Sequence, residues 1–309
     1  MWGAAKLIAF ELLVSHVATW GKRSLMTIAS GGHATDSFDN NTRHPPRKDY
    51  AATVCIVPHE SDVLAWERVG QARRELKDPG LFRWPPHINL LYPFVSFDAR
   101  SGLALRDLAG NLSCAAAHHL PFNLRMSSLG CFGSRKRGVL WLKPECCQRT
   151  TFAGRPDCDP LIEMQKSLQG AYPMCDDQWK HGGFTPHMTL SHFQSKDDAL
   201  AAKAAIESWW PDDTEITISE IYLLKRDGDD GQFLRLATIC EQSPLNPNGF
   251  VLHDPPSPFL GMPTVEEDWV REERMKLKQR RNRKSRRRRR SGSQRDCRPP
   301  SAADCSDQL

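Results

Sequence analysis

Two short segments about a hundred residues apart carry the same chemistry-bearing pattern, Pro86-His87-Ile88-Asn89-Leu90-Leu91 and Pro186-His187-Met188-Thr189-Leu190-Ser191. In a strand, residues i and i+2 face the same way. His87 therefore shares a face with Asn89, and His187 shares one with Thr189 and Ser191. Two imidazoles flanking one phosphate can serve as base and acid, because their ordinary pKa is about 6.5. Each well-placed proton transfer is typically worth about 10²–10⁴-fold. Asn89 and Thr189 would donate hydrogen bonds to non-bridging phosphate oxygens as negative charge builds, with Ser191 as an additional contact. A phosphodiester beside a ribose hydroxyl needs no more than in-line geometry and these two proton transfers, so neither a metal nor another cofactor is expected. A lone His-x-Thr on a strand is more often a satisfied polar pair, so the inference rests on the two segments together.

The elements around the two segments recur in order. Tyr50–Val57 reads as a buried strand stopped by Pro58, and Ser61–Lys77 has helical spacing ended by Pro79-Gly80. The first histidine strand, His87–Phe94, is followed by a helix near Ser101–Ala117 and strands near Phe122–Leu129 and Val139–Leu142. The second round has a helix near Pro160–Gly170, the histidine strand His187–Phe193, and a helix at Asp197–Trp209. Strands near Glu215–Leu224 and Phe233–Ile239 complete it. Two similar lobes are expected, each contributing one histidine strand to a shared cleft. By strict alternation His192 falls on the face opposite His187 and reads as a core or surface residue. Tyr92 and Phe184 are candidates to stack on a base, whereas Phe94 reads as packing.

With these motifs in place, Pro-His-Ile-Asn-Leu-Leu-Tyr-Pro-Phe and Thr-Pro-His-Met-Thr-Leu-Ser-His-Phe resemble the signature strands of the two-histidine phosphoesterase superfamily. The closer resemblance is to its 2′-5′ RNA ligase-like branch. His87, His187 and Thr189 match the family pattern; Asn89 stands where Ser or Thr is usual. The resemblance covers roughly residues 49–240. It implies an α+β, bilobed fold in which two pseudo-repeated lobes of antiparallel strands and helices surround a central cleft. It also implies metal-independent cleavage of 2′,3′-cyclic phosphates or 2′-5′ linkages at RNA ends or on nucleotides. A noncatalytic RNA-binding module using the same cleft, and 2′-5′ ligation, are the alternatives.

Charge is unevenly distributed. Thirteen Lys/Arg between Arg271 and Arg290, against Glu272 and Glu273, set a tail of +11 against a body of −6 within a net +5. The tail fits RNA or, through Arg280–Arg290, a nuclear import receptor. The ten cysteines form no CxxC or CxxH spacing, which argues against a zinc site and for reduced thiols. The expected organisation is an extension and linker at 1–48, a catalytic domain at 49–242 and a disordered basic tail at 243–309. Lys6, Lys22 and Arg23 around the apolar Leu7–Trp20 stretch would suit an organellar presequence, and a poorly ordered extension is the other reading. No membrane span is expected, since Glu11 and His16 interrupt an apolar stretch that is already short. A monomer is expected, nuclear or cytoplasmic, or organellar if the presequence operates.

Overall fold

The computed structural model describes residues 47–293, so the candidate presequence lies outside the described residues. In chain order the strands begin with β1 (Lys48–Asp49), β2 (Ala52–Ile56), β3 (Ile88–Leu91) and β4 (Phe94–Val95). They continue with β5 (Phe122–Ser134), β6 (Arg137–Cys146), β7 (Thr150–Phe152), β8 (Arg155–Cys158) and β9 (Met188–Phe193). The last are β10 (Glu215–Ile218), β11 (Glu220–Arg226), β12 (Phe233–Cys240) and β13 (Phe250–Ser257). The helices are α1 (Val63–Glu75), α2 (Gly102–Ala116), α3 (Pro160–Ala171), α4 (Lys196–Glu207) and α5 (Asp268–Ser293).

Nine strands form one antiparallel sheet in the order β10-β5-β6-β9-β3-β2-β11-β12-β13. The two histidine strands lie side by side at its centre, joined through the single partnership of Ile88 with Met188. That narrow seam divides the sheet into two halves, each contributing one histidine strand. The recurrence in sequence is not the recurrence in space, because β5 and β6, which follow the first histidine strand, join the half that contains the second.

Helix boundaries follow local chemistry. Ser101 caps α2 by accepting from Ala104 N, and Asp159 caps α3, whose first residue is Pro160. Ser195 and Asp198 form a capping box at α4. A Cβ on Gly138 would lie 2.0 Å from the Ser195 carbonyl oxygen, so only glycine lets this turn approach β6. The main core takes the fully buried Val54, Ile88, Leu90, Leu140 and Leu190 from the central strands, with Leu112 and Leu168 from α2 and α3. A second cluster of Cys55, Trp66, Tyr222, Phe233, Phe259 and Met262, with Trp84 packed against it, lies in the β3-containing half.

Two expectations differ from the structure. The stretch 215–224, expected as one strand, breaks at Ser219, and β10 and β11 belong to opposite halves of the sheet. The domain does not stop at 242. β13 pairs with β12, and Phe259, Met262 and Val270 are buried. Pro255 and Pro256 disguised this strand; an edge strand tolerates them because one side of it needs no hydrogen-bond donors.

Candidate active site

Ile88 and Met188 are buried partners, so the residues on either side of them face the other way. Antiparallel register places His87 opposite Thr189 and Asn89 opposite His187, all four half-buried on one face of the sheet. Directly opposed side chains have Cβ atoms about 4.5–5.5 Å apart, and the His87–His187 diagonal is about 7–8 Å. A phosphate above the seam would meet two imidazoles on one diagonal, and an amide and a hydroxyl on the other.

The imidazoles are held alike. His87 Nδ1 lies 2.8 Å from the Pro85 carbonyl oxygen, and His187 Nδ1 lies 2.8 Å from that of Thr185. A carbonyl only accepts, so each Nδ1 carries the proton and Nε2 is the nitrogen available for chemistry. Thr53 Oγ1 donates to Asn89 Oδ1 at 2.7 Å, which leaves the Asn89 NH₂ as the donor end. Asparagine is thereby oriented to do what the usual hydroxyl would do.

Aromatic rings wall both histidines. Trp84 stacks on His87 at 4.3 Å and on Phe233 at 3.6 Å, and Tyr92 meets the Trp84 ring edge-on at 5.7 Å. Phe132 and Trp141 approach His187 edge-on at 5.0 and 6.0 Å. A Cβ on Gly130 would come within 2.3 Å of the Trp141 ring, so glycine there makes room for it. The loop carrying Trp84 is tied down from below. Arg73 Nε donates to Asp78 Oδ2 at 2.8 Å with both side chains buried, and Arg73 Nη1 donates to the Trp84 carbonyl at 2.8 Å.

Burial pushes the His87 imidazole down to about 3, and the nearby Arg73, His187 and His192 act in the same direction. His187 is also lowered by burial, with no neighbouring cation adding to it. His87 is therefore the more firmly neutral of the two, and His187 the more readily protonated.

The sequence-predicted residues divide clearly. His87, Asn89, His187 and Thr189 come together. Ser191 does not. Thr189 and Ser191 pair with the adjacent residues Trp141 and Leu140, so the strand bulges at Leu190 and turns Ser191 to the opposite face. Ser191 is buried there, and its hydroxyl donates to the Leu76 carbonyl at 3.4 Å. The same bulge brings His192 onto the face of Thr189, contrary to strict alternation. Phe184 packs against the main core, while Tyr92 stands in the aromatic wall with its hydroxyl donating to the Tyr50 carbonyl at 3.3 Å. Trp84, Phe132, Trp141, Thr53 and Arg73 were not singled out from the sequence. Of these only Trp84 offered a signal, an aromatic three residues before His87.

No group of three or more His, Cys, Asp or Glu able to hold a metal occurs among the described residues, and none of the described helices is long and apolar enough to cross a membrane. The family model for the 2′-5′ RNA ligase superfamily matches residues 62–230, more than half of the chain and all four residues of the quartet. No curated protein matches. Among solved structures, E. coli LigT complexed with 3′-AMP is similar at 18% identity, with 64% of this chain and 100% of that chain covered and a TM-score of 0.38. A structure described as a phosphoesterase gives the same four values. E. coli LigT in apo form gives 19% identity, 65% and 100% coverage and a TM-score of 0.37.

Proposed function

The chain belongs to the 2′-5′ RNA ligase superfamily, whose chemistry is at phosphodiester bonds, and on that premise we propose that it is a metal-independent phosphodiesterase opening 2′,3′-cyclic phosphates or 2′-5′ linkages. The observation that carries this reading is the quartet on the seam, with both Nδ1 protons committed to carbonyls and both Nε2 atoms available. His87, held neutral, accepts a proton from water as the water oxygen bonds to phosphorus. The bond from phosphorus to the ribose oxygen breaks, and His187 gives its proton to that leaving oxygen. Proton exchange with solvent resets the pair. Asn89 Nδ2 and Thr189 Oγ1 donate to the non-bridging oxygens, where charge accumulates in the transition state. Negative charge at the phosphate also raises both imidazole pKa values, which favours the protonated His187 the reaction needs.

The test is incubation of short RNAs ending in 2′,3′-cyclic phosphate, with and without EDTA, beside His87→Ala and His187→Ala proteins. EDTA-resistant opening, lost by about 10²–10⁴-fold in each variant, is expected. Full activity in either variant would sink the mechanism. Intact RNA binding without opening, on cyclic ends or 2′-5′ linkages, would favour a noncatalytic module.

A further inference from the structure

Bordered by Trp84, which stacks on His87, and by His192, the protein holds a cavity of about 1190 Å³ that the chemistry above does not use. Nine Lys/Arg line it against four Asp/Glu, so it is strongly electropositive. The cations come from distant parts of the chain: Arg83 before β3, Lys136 and Arg137 in the β5–β6 turn, Arg226 at the end of β11, and α5. On α5, Arg274, Leu277, Lys278 and Arg280 recur at helical spacing and form one wall. His192 and Trp84 line the same cavity, so it adjoins the catalytic face.

Helix α5 is anchored to the domain. Val270 is buried, and Arg274 donates from Nε and Nη2 to the Glu266 carboxylate at 2.9 and 3.0 Å, and from Nη1 to Asp230. The anchoring consumes Arg274 and leaves the exposed Lys278 and Arg280 at the cavity wall. On the other side the Arg83 Nε–H is buried with no hydrogen-bond partner among the described residues. The Arg83 guanidinium pKa is lowered by burial and by the proximity of Arg226 and Arg274, which outweigh the opposing pull of Asp230. A buried unpaired donor among repelling cations is costly unless an anion compensates it.

We infer that this cavity is a polynucleotide-backbone subsite, in which Arg83, Arg226 and the α5 face hold phosphates of a single-stranded RNA whose terminal phosphate lies on the histidine quartet. The inference rests on the phosphodiesterase reading and adds a substrate class to it, an RNA strand in preference to a free cyclic nucleotide. A chain of regularly spaced phosphates matches the distribution of cations over several walls. A lone phosphate would engage only one of them. The α5 wall lies beyond residues 62–230, so the subsite includes an element outside the family-matched region.

The experiment uses the full chain and a Lys278→Glu/Arg280→Glu variant, whose exposed helical positions tolerate the change. Turnover is compared on a fluorescent octaribonucleotide with a 2′,3′-cyclic end and on a 2′,3′-cyclic mononucleotide. The oligonucleotide-to-mononucleotide ratio of kcat/KM is expected to fall at least about tenfold in the variant, since two phosphate contacts are replaced by repulsion. Binding of the oligonucleotide to a His187→Ala protein, followed by anisotropy over a salt series, reads the subsite without turnover. Its log–log slope is expected to shrink by about 1.4 when the two cations are lost, at about 0.7 per phosphate contact on single strands. Turnover with an unchanged ratio and unchanged slope would overturn the subsite and leave the phosphodiesterase reading standing. The expected slope change without turnover on either substrate would overturn that reading alone. Competition by poly-glutamate as strong as that by RNA would identify an acidic polypeptide site and overturn the inference.

Discussion

Removing the charge of Asp78 should unfasten the loop that carries Trp84 and His87. Asp78 Oδ2 accepts from Arg73 Nε at 2.8 Å, Oδ1 accepts from Gly80 N at 3.1 Å, and both side chains of the ion pair are 4% exposed. Asp78→Asn keeps the shape but leaves the Arg73 guanidinium buried without its counter-charge. Breaking one side of such a pair costs about 3–5 kcal/mol. At about 2–4 °C per kcal/mol for a domain of this size, the melting temperature should fall by roughly 6–20 °C. Because Arg73 Nη1 also donates to the Trp84 carbonyl, activity should fall together with stability.

The assay is urea unfolding of wild type, Asp78→Asn, Arg73→Met and the Arg73→Met/Asp78→Leu double variant. Replacing both partners by apolar groups of similar volume is often close to neutral, so the double variant should recover most of the stability lost in either single one. It should not recover the hydrogen bond to the Trp84 carbonyl, and kcat should stay depressed while stability returns. A loss below about 1 kcal/mol in Asp78→Asn, within the range of an exposed pair, would refute the buried strut. Full recovery of kcat in the double variant would refute its positioning role.

Thr189→Ala should reduce kcat about 10–100-fold with little change in stability, whereas Ser191→Ala should leave kcat within about twofold, because Ser191 faces away from the phosphate; comparable losses in the two would refute the bulge at Leu190. The alkaline limb of kcat/KM should lie below pH 6.5, because burial lowers His187, the proton donor, below its ordinary value; a limb above pH 7 would refute that lowering, and a limb near pH 3 would reverse the roles of the histidines. Folding stability should follow pH with a matching sign. His87 takes a proton near pH 3 when folded and near 6.5 when unfolded, so the stability present above 6.5 is lost as pH falls towards 3. His87→Gln should flatten that loss, as measured by urea midpoints across the window; an unchanged slope would contradict the burial of His87.

Most of the element order was legible because hydrophobic periodicity and Pro-Gly stops are local signals: α1, α2, α3 and α4 lie where the 3.6-residue spacing places them. What was not legible is non-local. Nothing in residues 215–224 announces that the chain crosses from one half of the sheet to the other at Ser219, since the partners that set each piece's half, β5 for β10 and β2 for β11, lie ninety or more residues away in sequence. The quartet was readable because a period of two over three residues needs no tertiary information. Ser191 was misread because one extra residue at Leu190 inverts everything after it, and a bulge has no reliable sequence signature. The Arg73–Asp78 strut carried no signal, because a charge inside a helical pattern ordinarily faces water.

The bulge at Leu190 has a counterpart at Leu90, where Cys55 pairs with Asn89 and Val54 with Leu91. The two histidine strands are thus distorted at equivalent points, which makes Leu91 the equivalent of Ser191 and Tyr92 that of His192. The seam is pseudo-symmetric in its backbone and in the carbonyl that fixes each imidazole. A symmetric pair of histidines cannot by itself divide into acid and base. The asymmetry comes from the surroundings: Arg73 lies beneath His87 and disfavours its protonation, whereas aromatic edges rather than a cation stand beside His187. The electropositive cavity draws its walls from both halves, Arg83, Trp84 and Arg226 from the one and Lys136, Arg137 and His192 from the other. In the proposed reaction the direction of proton flow across the phosphate therefore originates in the unequal charge beside the two histidines of a nearly symmetric seam.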